Sequence, residues 1–296
     1  MRVALTGASG RVGRFVAADL LARGCSVRGL TASGAVPAGI EPMVGDFTDP
    51  LATRPLLEGA DLLVHAAFAH APGRYRGGEG DDPTGFVETN LHGSLELLRL
   101  ARRSGVRAAV VFSSRAVLDG CLPGCHHEDV MPKSTTLYGR IKAALEAFVE
   151  AEGRDWHLTA LRSTGIYGIL SPVEDSKWHD LIRRARAGDV PATDRAGTEV
   201  NGRDLAEAVW RIGTMAEARG RVFNCSDIVV RRSDVLRLAG IDAVLSPVAS
   251  PAVTLDCARL RQLGWSPSGW ERLAATVAAL SAAAPGRRCA GGARSA

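Results

Sequence analysis

The chain has 296 residues, of which 46% are hydrophobic and 23% are charged, and its formal net charge is +4. This composition suits a globular protein with a sizeable core and excludes a mainly disordered chain. The charge is too small to indicate nucleic-acid binding, and no apolar run reaches the ~18 residues of a membrane-spanning helix. The N-terminus enters a strand-like run with no secretion signal before it. We therefore expect a cytoplasmic protein that binds neither nucleic acid nor membrane.

Short apolar runs alternate with helical patterns through the first 165 residues. The runs predict strands over 2–6, 26–31, 61–65, 108–113 and 157–162. The patterns between them predict helices near 11–23, 84–103 and 137–152. This alternation is typical of an α/β fold in which helices cover both faces of a parallel sheet. We predict a doubly wound, Rossmann-type sheet.

The pattern loosens after residue 168. We expect residues 1–168 to form a dinucleotide-binding domain and residues 169–284 to form a smaller C-terminal substrate lobe. Some strands of the lobe are expected to return to the main sheet. Its predicted helices lie near 177–187, 204–217 and 269–284. Residues 285–296 lack periodicity and are predicted to form a disordered tail.

A glycine-rich loop, TGASGRVG at 6–13, joins the first strand to the first helix. Gly7 permits the tight turn, Gly10 lets backbone N–H groups approach a pyrophosphate, and Gly13 lets the helix pack close to the strand. The position between a strand and a helix supplies the context that this motif requires. The expected dinucleotide-binding residues of the loop are Gly7, Ser9, Gly10, Arg11, Val12 and Gly13.

The end of the second strand indicates which dinucleotide is bound. An acid there binds the ribose 2′-hydroxyl and favours NAD, but residues 27–33 read VRGLTAS. Arg11, Thr31 and Ser33 offer groups that can surround a 2′-phosphate instead. The sequence thus favours NADP(H), with NAD(H) left open as the alternative.

Tyr138 and Lys142 lie one helical turn apart at the start of a predicted helix. Residues at i and i+4 share a helix face, so the phenol and the ammonium project into the same space. A neighbouring ammonium favours the phenolate and adapts tyrosine to proton exchange near neutral pH. Only three of the 36 basic residues are lysines and only three residues are tyrosines, so about 0.03 such pairs are expected by chance. We interpret the pair as catalytic and cofactor-positioning.

These motifs together resemble the extended short-chain dehydrogenase/reductases of the NAD-dependent epimerase/dehydratase type, from Met1 to about residue 283. The resemblance implies that Asn90 supports the catalytic site and that the helices over 84–103 and 137–152 form a homodimer. It also implies cofactor contacts by Asp46, Phe47, Ala66, Ala67, Ser113, Ser163 and Thr164. Substrate contacts are expected from Phe68 and Ile166.

The chain departs from this family where a third catalytic group is expected. Relatives place a serine or threonine at the position of Arg115, and its hydroxyl contacts the reacting oxygen. Three alternatives stay open: Ser114 supplies the hydroxyl, Arg115 itself polarises a substrate oxygen, or the substrate provides part of its own proton chemistry. A second departure is Gly165, where nucleotide-sugar enzymes of the family carry an asparagine near the substrate diphosphate. This departure weakens the case for a nucleotide sugar.

Weaker signals concern a metal, a lid and four side chains. The cysteines and histidines over 121–127 lack standard zinc spacing, so we expect no metal. The glycine-rich loop over 68–80 is as consistent with a lid as with a surface loop. We expect Trp178 to pack in the core, His179 to be solvated, and His65 and His70 to line the pocket.

The sequence thus predicts an oxidoreductase that acts on a small molecule. The favoured function is NADPH-dependent reduction of a ketone in a natural-product or deoxysugar intermediate. Two alternatives stay open, namely a nucleotide-sugar epimerase or dehydratase with tightly bound NAD, and a non-catalytic NADP(H)-sensing protein.

Overall fold

The computed structural model describes residues 1–71, 77–249 and 253–284. The predicted tail over 285–296 lies outside the described residues, as does the middle of the loop over 68–80. Within the described ranges, no helix has both the length and the apolar character needed to cross a bilayer.

The chain contains strands and helices that alternate as the hydrophobic pattern predicts. In chain order the strands are β1 Arg2–Thr6, β2 Ser26–Thr31, β3 Glu41–Val44, β4 Leu62–His65, β5 Ala108–Ser114, β6 Gly124–His126, β7 His157–Ser163, β8 Gly165–Tyr167, β9 Thr193–Asp194, β10 Ala196–Asn201, β11 Val222–Cys225, β12 Ile228–Arg231, β13 Ser246–Pro247 and β14 Val253–Leu255. The α-helices are α1 Arg11–Ala22, α2 Pro50–Leu57, α3 Pro83–Val87, α4 Gly93–Arg103, α5 Leu137–Glu152, α6 His179–Arg186, α7 Gly202–Thr214, α8 Arg232–Leu238, α9 Ala258–Gln262 and α10 Gly269–Ala283. A π-helical turn, Glu88–His92, joins α3 to α4.

Seven strands form one sheet in the order β11-β7-β5-β4-β1-β2-β3, and every neighbouring pair is parallel. The strand order reverses between β1 and β4, which is the switch point where doubly wound folds bind ligands. There Thr6 of β1 lies opposite His65 of β4. The predicted Rossmann-type parallel sheet is confirmed.

Successive residues of the central strands point to opposite faces of the sheet, and both faces are covered. Val3 and Leu5 pack in one apolar cluster with α1 and α7, whereas Ala4 packs in another with α4 and α5. This burial on both sides explains why these strands read as continuous apolar runs. Each fully buried leucine or valine of this kind stabilises the fold by about 1.5–3 kcal/mol.

The substrate lobe is built from short strands and the last helices. β12, β10 and β8 form a three-stranded sheet, and α6, α8 and α10 pack together around a small core with Tyr167 and Val230. Part of the chain after residue 168 belongs to the seven-stranded sheet and its helices. β11 is an edge strand of this sheet, and α7 packs on the sheet at β5 and β7. The domain boundary at 168 stays a prediction. So does the dimer interface on α4 and α5.

Candidate active site

A cavity of about 740 Å³ lies at the carboxyl ends of the parallel strands, between the main sheet and the substrate lobe. Of the residues that the sequence predicts for the site, all line this cavity except Ser33, Asn90 and His65. The fold therefore brings the glycine-rich loop, the Tyr138/Lys142 pair and the segment after β7 around one space. Which of these residues contact a ligand stays a prediction.

The glycine-rich loop forms the start of α1 at the cavity wall. Gly7 has φ +70°, which favours glycine, and its carbonyl accepts the N–H of Gly10 at 3.0 Å. A side chain at Gly13 would clash with the Gly7 carbonyl, so helix and strand approach this closely only with glycine there. The first turn of α1 carries no acidic residue. Its N–H groups and the helix dipole therefore suit an anion such as a pyrophosphate.

The three residues expected around a 2′-phosphate each form a hydrogen bond with a different part of the protein. Arg11 lines the cavity, but its Nη2 donates to the Asp175 carbonyl of the substrate lobe at 3.3 Å. Thr31 also lines the cavity and donates to the Ala35 carbonyl at 3.4 Å. Ser33 is exposed and lies outside the lining residues, where its Oγ accepts the N–H of Ala35 at 3.3 Å. Of the three residues, Arg11 and Thr31 thus line the cavity and Ser33 does not.

Tyr138 and Lys142 occupy the first turns of α5, as their spacing predicts. Thr136 caps this helix, since its side chain accepts the N–H of Gly139 at 3.1 Å, and this fixes where the helix begins. The ring of Phe68 packs edge-on against Tyr138, with centroids 5.1 Å apart. The Lys142 Nζ lies 4.3 Å from the Phe68 centroid and 5.8 Å from that of Tyr138. Phenol, ammonium and aromatic ring thus form one packed group at the cavity wall.

Lys142 is deeply buried, and this changes its protonation. Burial lowers the pKa of Lys142 to about 7, against the opposing attraction of Glu146 one turn further along α5. Glu146 is itself held by Arg162, whose Nε and Nη2 each donate to it at 2.8 Å, and by the Ser113 hydroxyl. The cation beside Tyr138 is therefore present below about pH 7 and is lost above it.

Ser114 and Arg115 both line the cavity where β5 ends. The Ser114 Oγ accepts the N–H of Ala116 at 3.2 Å, which uses an oxygen lone pair and not the hydroxyl proton. The Arg115 Nη1 donates to the Val253 carbonyl at 3.3 Å and lies 3.6 Å from Asp119. Arg115 is thus held between β5 and the substrate lobe, while Ser114 keeps a proton to donate. The choice between them stays open.

Asn90 is fully buried beneath the cavity wall, in the π-helical turn. Its side-chain oxygen accepts the N–H of Ala69 at 2.7 Å, and its amide nitrogen donates to the carbonyls of Ala69 and Phe86 at 2.8 and 3.0 Å. These bonds fix the segment that carries Phe68 against Tyr138. The structure gives Asn90 an indirect, positioning contact with the site.

His65 does not line the cavity but connects the switch point to the same turn. The Ser94 hydroxyl donates to the Asn90 carbonyl at 2.6 Å, so Ser94 accepts the Nε2 proton of His65 at 2.8 Å. The Thr6 hydroxyl then donates to Nδ1 at 2.7 Å. Burial lowers the pKa of His65 to about 3, and the nearby Lys142 charge acts in the same direction.

Because His65 is neutral in the folded chain, we expect the protein to lose stability in acid. The unfolded chain binds a proton at His65 near pH 6.5, whereas the folded chain does so only near pH 3. The contribution of His65 to the free energy of unfolding is therefore expected to fall by about 1.4 kcal/mol per pH unit as the pH drops from 6.5 toward 3. Urea unfolding across this range should show a steeper fall for the native chain than for His65→Gln. Equal slopes would contradict the assignment.

The structure corrects two expectations about side chains, those for His179 and His65. His179, expected at a solvated surface, is 6% exposed because it begins α6 on the inner side of the lobe. His70 lines the cavity as expected, whereas His65 does not. Trp178 packs against Tyr167, with ring centroids 5.3 Å apart.

At the loop over 121–127, His126 bonds the Leu122 carbonyl at 2.9 Å. The described residues contain no group of three histidine, cysteine or acidic side chains placed to hold a metal.

The residues that line the cavity on the side of the substrate lobe were not predicted from the sequence. Lys177, Thr198 and Glu199 line the cavity there, on the segment before α6 and on β10. Two signals pointed to them, namely the scarcity of lysine in this chain and a lone acid inside the short segment GTEVN. Neither belongs to a motif with a fixed spacing.

The sequence of the chain matches a known protein family. Residues 3–226 match the model of the NAD dependent epimerase/dehydratase family, which is three quarters of the chain. The chain belongs to this family. The description of this family names its members as NAD dependent epimerases or dehydratases.

Relatives within the family carry different names. Over 176 residues the chain is 32% identical to a 3 beta-hydroxysteroid dehydrogenase/Delta 5-->4-isomerase of Mycobacterium tuberculosis, covering 56% of this chain and 47% of that protein. Over 195 residues it is 30% identical to a 4-hydroxy-2-methyl-3-oxo-4-farnesyl-3,4-dihydroquinoline-1-oxide ketoreductase of Stigmatella aurantiaca, covering 63% and 56%. The matches thus span about half the length of these relatives.

Solved structures of the family share the fold. The UDP-glucose 4-epimerase of Thermus thermophilus in complex with NAD superimposes with a TM-score of 0.76 and 23% identity, over 96% of this chain and 100% of the epimerase. At this identity the likeness establishes the architecture alone.

Proposed function

We propose that the protein is an NADPH-dependent ketoreductase that reduces a carbonyl of a natural-product or deoxysugar intermediate. The observation that carries the proposal is the meeting of Tyr138 and Lys142 with the glycine-rich loop in one cavity. A proton donor and a dinucleotide cradle are the two parts that carbonyl reduction needs.

The residues present fit a nicotinamide dinucleotide. The N–H groups at the start of α1 suit the pyrophosphate, and the absence of a side chain at Gly13 lets the helix pack closely against the Gly7 backbone. Asp46 and Phe47 line the cavity beyond β3, on the side expected for adenine, and Ser163 and Thr164 line it beyond β7, on the side expected for nicotinamide. When bound, the reduced nicotinamide supplies a hydride to the carbonyl carbon.

The chain's own residues manage the proton and the charge. Tyr138 donates its phenolic proton to the carbonyl oxygen, and Lys142 favours the phenolate that remains. Ser114, whose hydroxyl proton is unused in its bond to Ala116, or Arg115 polarises the same oxygen. Phe68 excludes water from the ammonium and the phenol, which strengthens their mutual interaction.

The preference for NADPH rests on the end of β2. The residues that line the cavity there are Leu30, Thr31 and Ala32, none of which carries a carboxylate. A carboxylate would repel a 2′-phosphate, and its absence removes that barrier. NAD(H) stays the alternative for the assay to decide.

The substrate class follows from the wall around Tyr138. Phe68, Phe112 and Ile166 line the cavity, so a fairly apolar ketone fits it. Two relatives named as a hydroxysteroid dehydrogenase and a ketoreductase support this choice. The glycine at 165, in place of an asparagine, supports it further.

The test follows the transferred hydrogen. We expect the protein to oxidise NADPH in step with the reduction of aromatic or sugar ketones, at a lower KM than for NADH. With NADPH deuterated at the transferable position, the product alcohol should carry one deuterium at the former carbonyl carbon. Conversion of UDP-glucose to an epimer without net change in nicotinamide absorbance would identify an epimerase instead. NADPH binding with no ketone consumed would favour a sensing protein.

A further inference from the structure

A buried ion pair lies on the cavity wall formed by the substrate lobe, away from Tyr138 and the glycine-rich loop. The Lys177 Nζ donates to the Glu199 Oε1 at 2.5 Å, and both residues line the cavity. The Glu199 side chain is 6% exposed, whereas that of Lys177 is 26% exposed. Lys177 and Glu199 also line a second cavity of about 430 Å³, so the pair lies between the two cavities.

Only one of the two carboxylate oxygens of Glu199 is satisfied. Oε2 is buried and has no hydrogen-bond partner among the described residues. A buried carboxylate oxygen without a donor is costly and rare in folded proteins. Burial raises the pKa of Glu199, while Lys177 and Arg11 act in the opposite direction. The site therefore holds an acceptor whose donor does not come from the described protein.

Two glycines leave the space that this carboxylate fills. Glu199 lies opposite Gly165 in the pairing of β10 with β8, and a Cβ at Gly165 would clash with Oε2. A Cβ at Gly197 would come within 2.7 Å of Oε1. Both glycines line the cavity as well. The backbone is thus shaped around a polar group at the substrate side of the cavity, where an apolar side chain would serve packing better.

We propose that Glu199 selects the substrate, with Oε2 accepting a hydrogen bond from a hydroxyl group of an uncharged ketone. The inference rests on the proposed function, because it names the substrate of the same site. An ammonium is disfavoured as the donor, since Lys177 and Arg11 already place positive charge around this carboxylate. A phosphate is disfavoured because it would lie against the carboxylate beside Gly165. A neutral hydroxyl satisfies Oε2 without either conflict.

The test compares matched ketones that differ by one hydroxyl. We would use hydroxytetralone with tetralone and hydroxyacetophenone with acetophenone, and measure their affinity by calorimetry in the presence of NADP+. The native chain should bind the hydroxylated member of at least one pair about tenfold more tightly, as expected for a hydrogen bond to a charged group. Glu199→Gln should lose most of this preference and keep its NADP+ affinity. UDP-glucose should bind more tightly to Glu199→Gln than to the native chain.

Control variants separate recognition from folding. Glu217→Gln makes the same change at an exposed position and should keep the preference. If Glu199→Gln does not fold, Lys177→Met/Glu199→Gln removes both charges and leaves neither unpaired, and it should lose the preference as well. An equal preference in the native chain and the variants, or no preference in any pair, would overturn the proposal.

The binding assay needs no turnover, so the two proposals fail separately. Preferential binding that depends on Glu199, without consumption of NADPH, would overturn the reductase function and leave the recognition standing. Ketone reduction without any hydroxyl preference would do the reverse.

Discussion

Tyr138→Phe is expected to lower kcat for ketone reduction by about a thousandfold, the scale of a general acid's contribution. The substitution removes the phenolic proton but keeps the ring that packs edge-on against Phe68. NADPH affinity should be unchanged, because the glycine-rich loop lies on other elements. Steady-state kinetics together with fluorescence titration of NADPH check both parts.

Tyr167→Phe is the matched control for this change. Tyr167 is fully buried in the core of the substrate lobe, and its hydroxyl has no hydrogen-bond partner among the described residues. Burial raises the pKa of Tyr167, so it has no part in proton exchange near neutral pH. The control should keep full activity and at least the native melting temperature. If Tyr138→Phe keeps more than about a tenth of the native kcat, another group supplies the proton.

Lys142→Met is expected to weaken reduction strongly and yet to stabilise the fold. The loss of the cation beside Tyr138 should lower kcat/KM by about a hundredfold or more. The folded chain, however, bears a buried charge at neutral pH whose desolvation is only partly offset by Glu146 and by the Phe68 ring. Replacing it with an apolar side chain of similar length should raise the free energy of unfolding by about 2 kcal/mol at pH 7.

The stability gain of Lys142→Met should depend on pH in a defined direction. The folded pKa of Lys142 is about 7 and its ordinary value is 10.5, so the unfolded chain binds more protons between these values. The native chain therefore gains stability as the pH rises through this window, and the advantage of the variant shrinks toward zero near pH 10.5.

Melting curves of the native chain and Lys142→Met between pH 6 and 10 measure this difference. Lys133→Met, a change at an exposed lysine, is the matched control and should leave both activity and pH dependence as they are. A variant that is less stable than the native chain at pH 7, or a difference that does not vary with pH, would contradict the buried cation.

The sequence predicted the parts of the fold in which local pattern and burial agree. Strands such as β1 and β5 are apolar on both faces, and α5 begins after a capping threonine, so their limits could be predicted closely. β3 was missed because it is an edge strand that contains Pro42 and buries little of its surface. No apolar run marks such a strand.

The site also has parts that local sequence predicts and parts that depend on contacts between distant segments. The glycine-rich loop and the Tyr138/Lys142 pair are local in sequence, and their spacing carries their geometry. Glu199 meets Gly165 only through the pairing of β10 with β8, which no local pattern records. The prediction for His179 was wrong because the burial of this residue depends on how α6 packs in the lobe. The contact of Asn90 with the Ala69 backbone comes from a π-helical turn, which no local pattern indicates, and its role at the site stays a prediction.

The most direct test is a crystal structure of the protein with bound NADP+. We predict that the Tyr138 hydroxyl faces the carbon of the nicotinamide ring that carries the transferable hydrogen, with the Lys142 Nζ within hydrogen-bond distance of the adjoining ribose. A Tyr138 hydroxyl that points away from the ring, with a different proton donor nearest that carbon, would contradict the proposed chemistry while leaving the dinucleotide site intact.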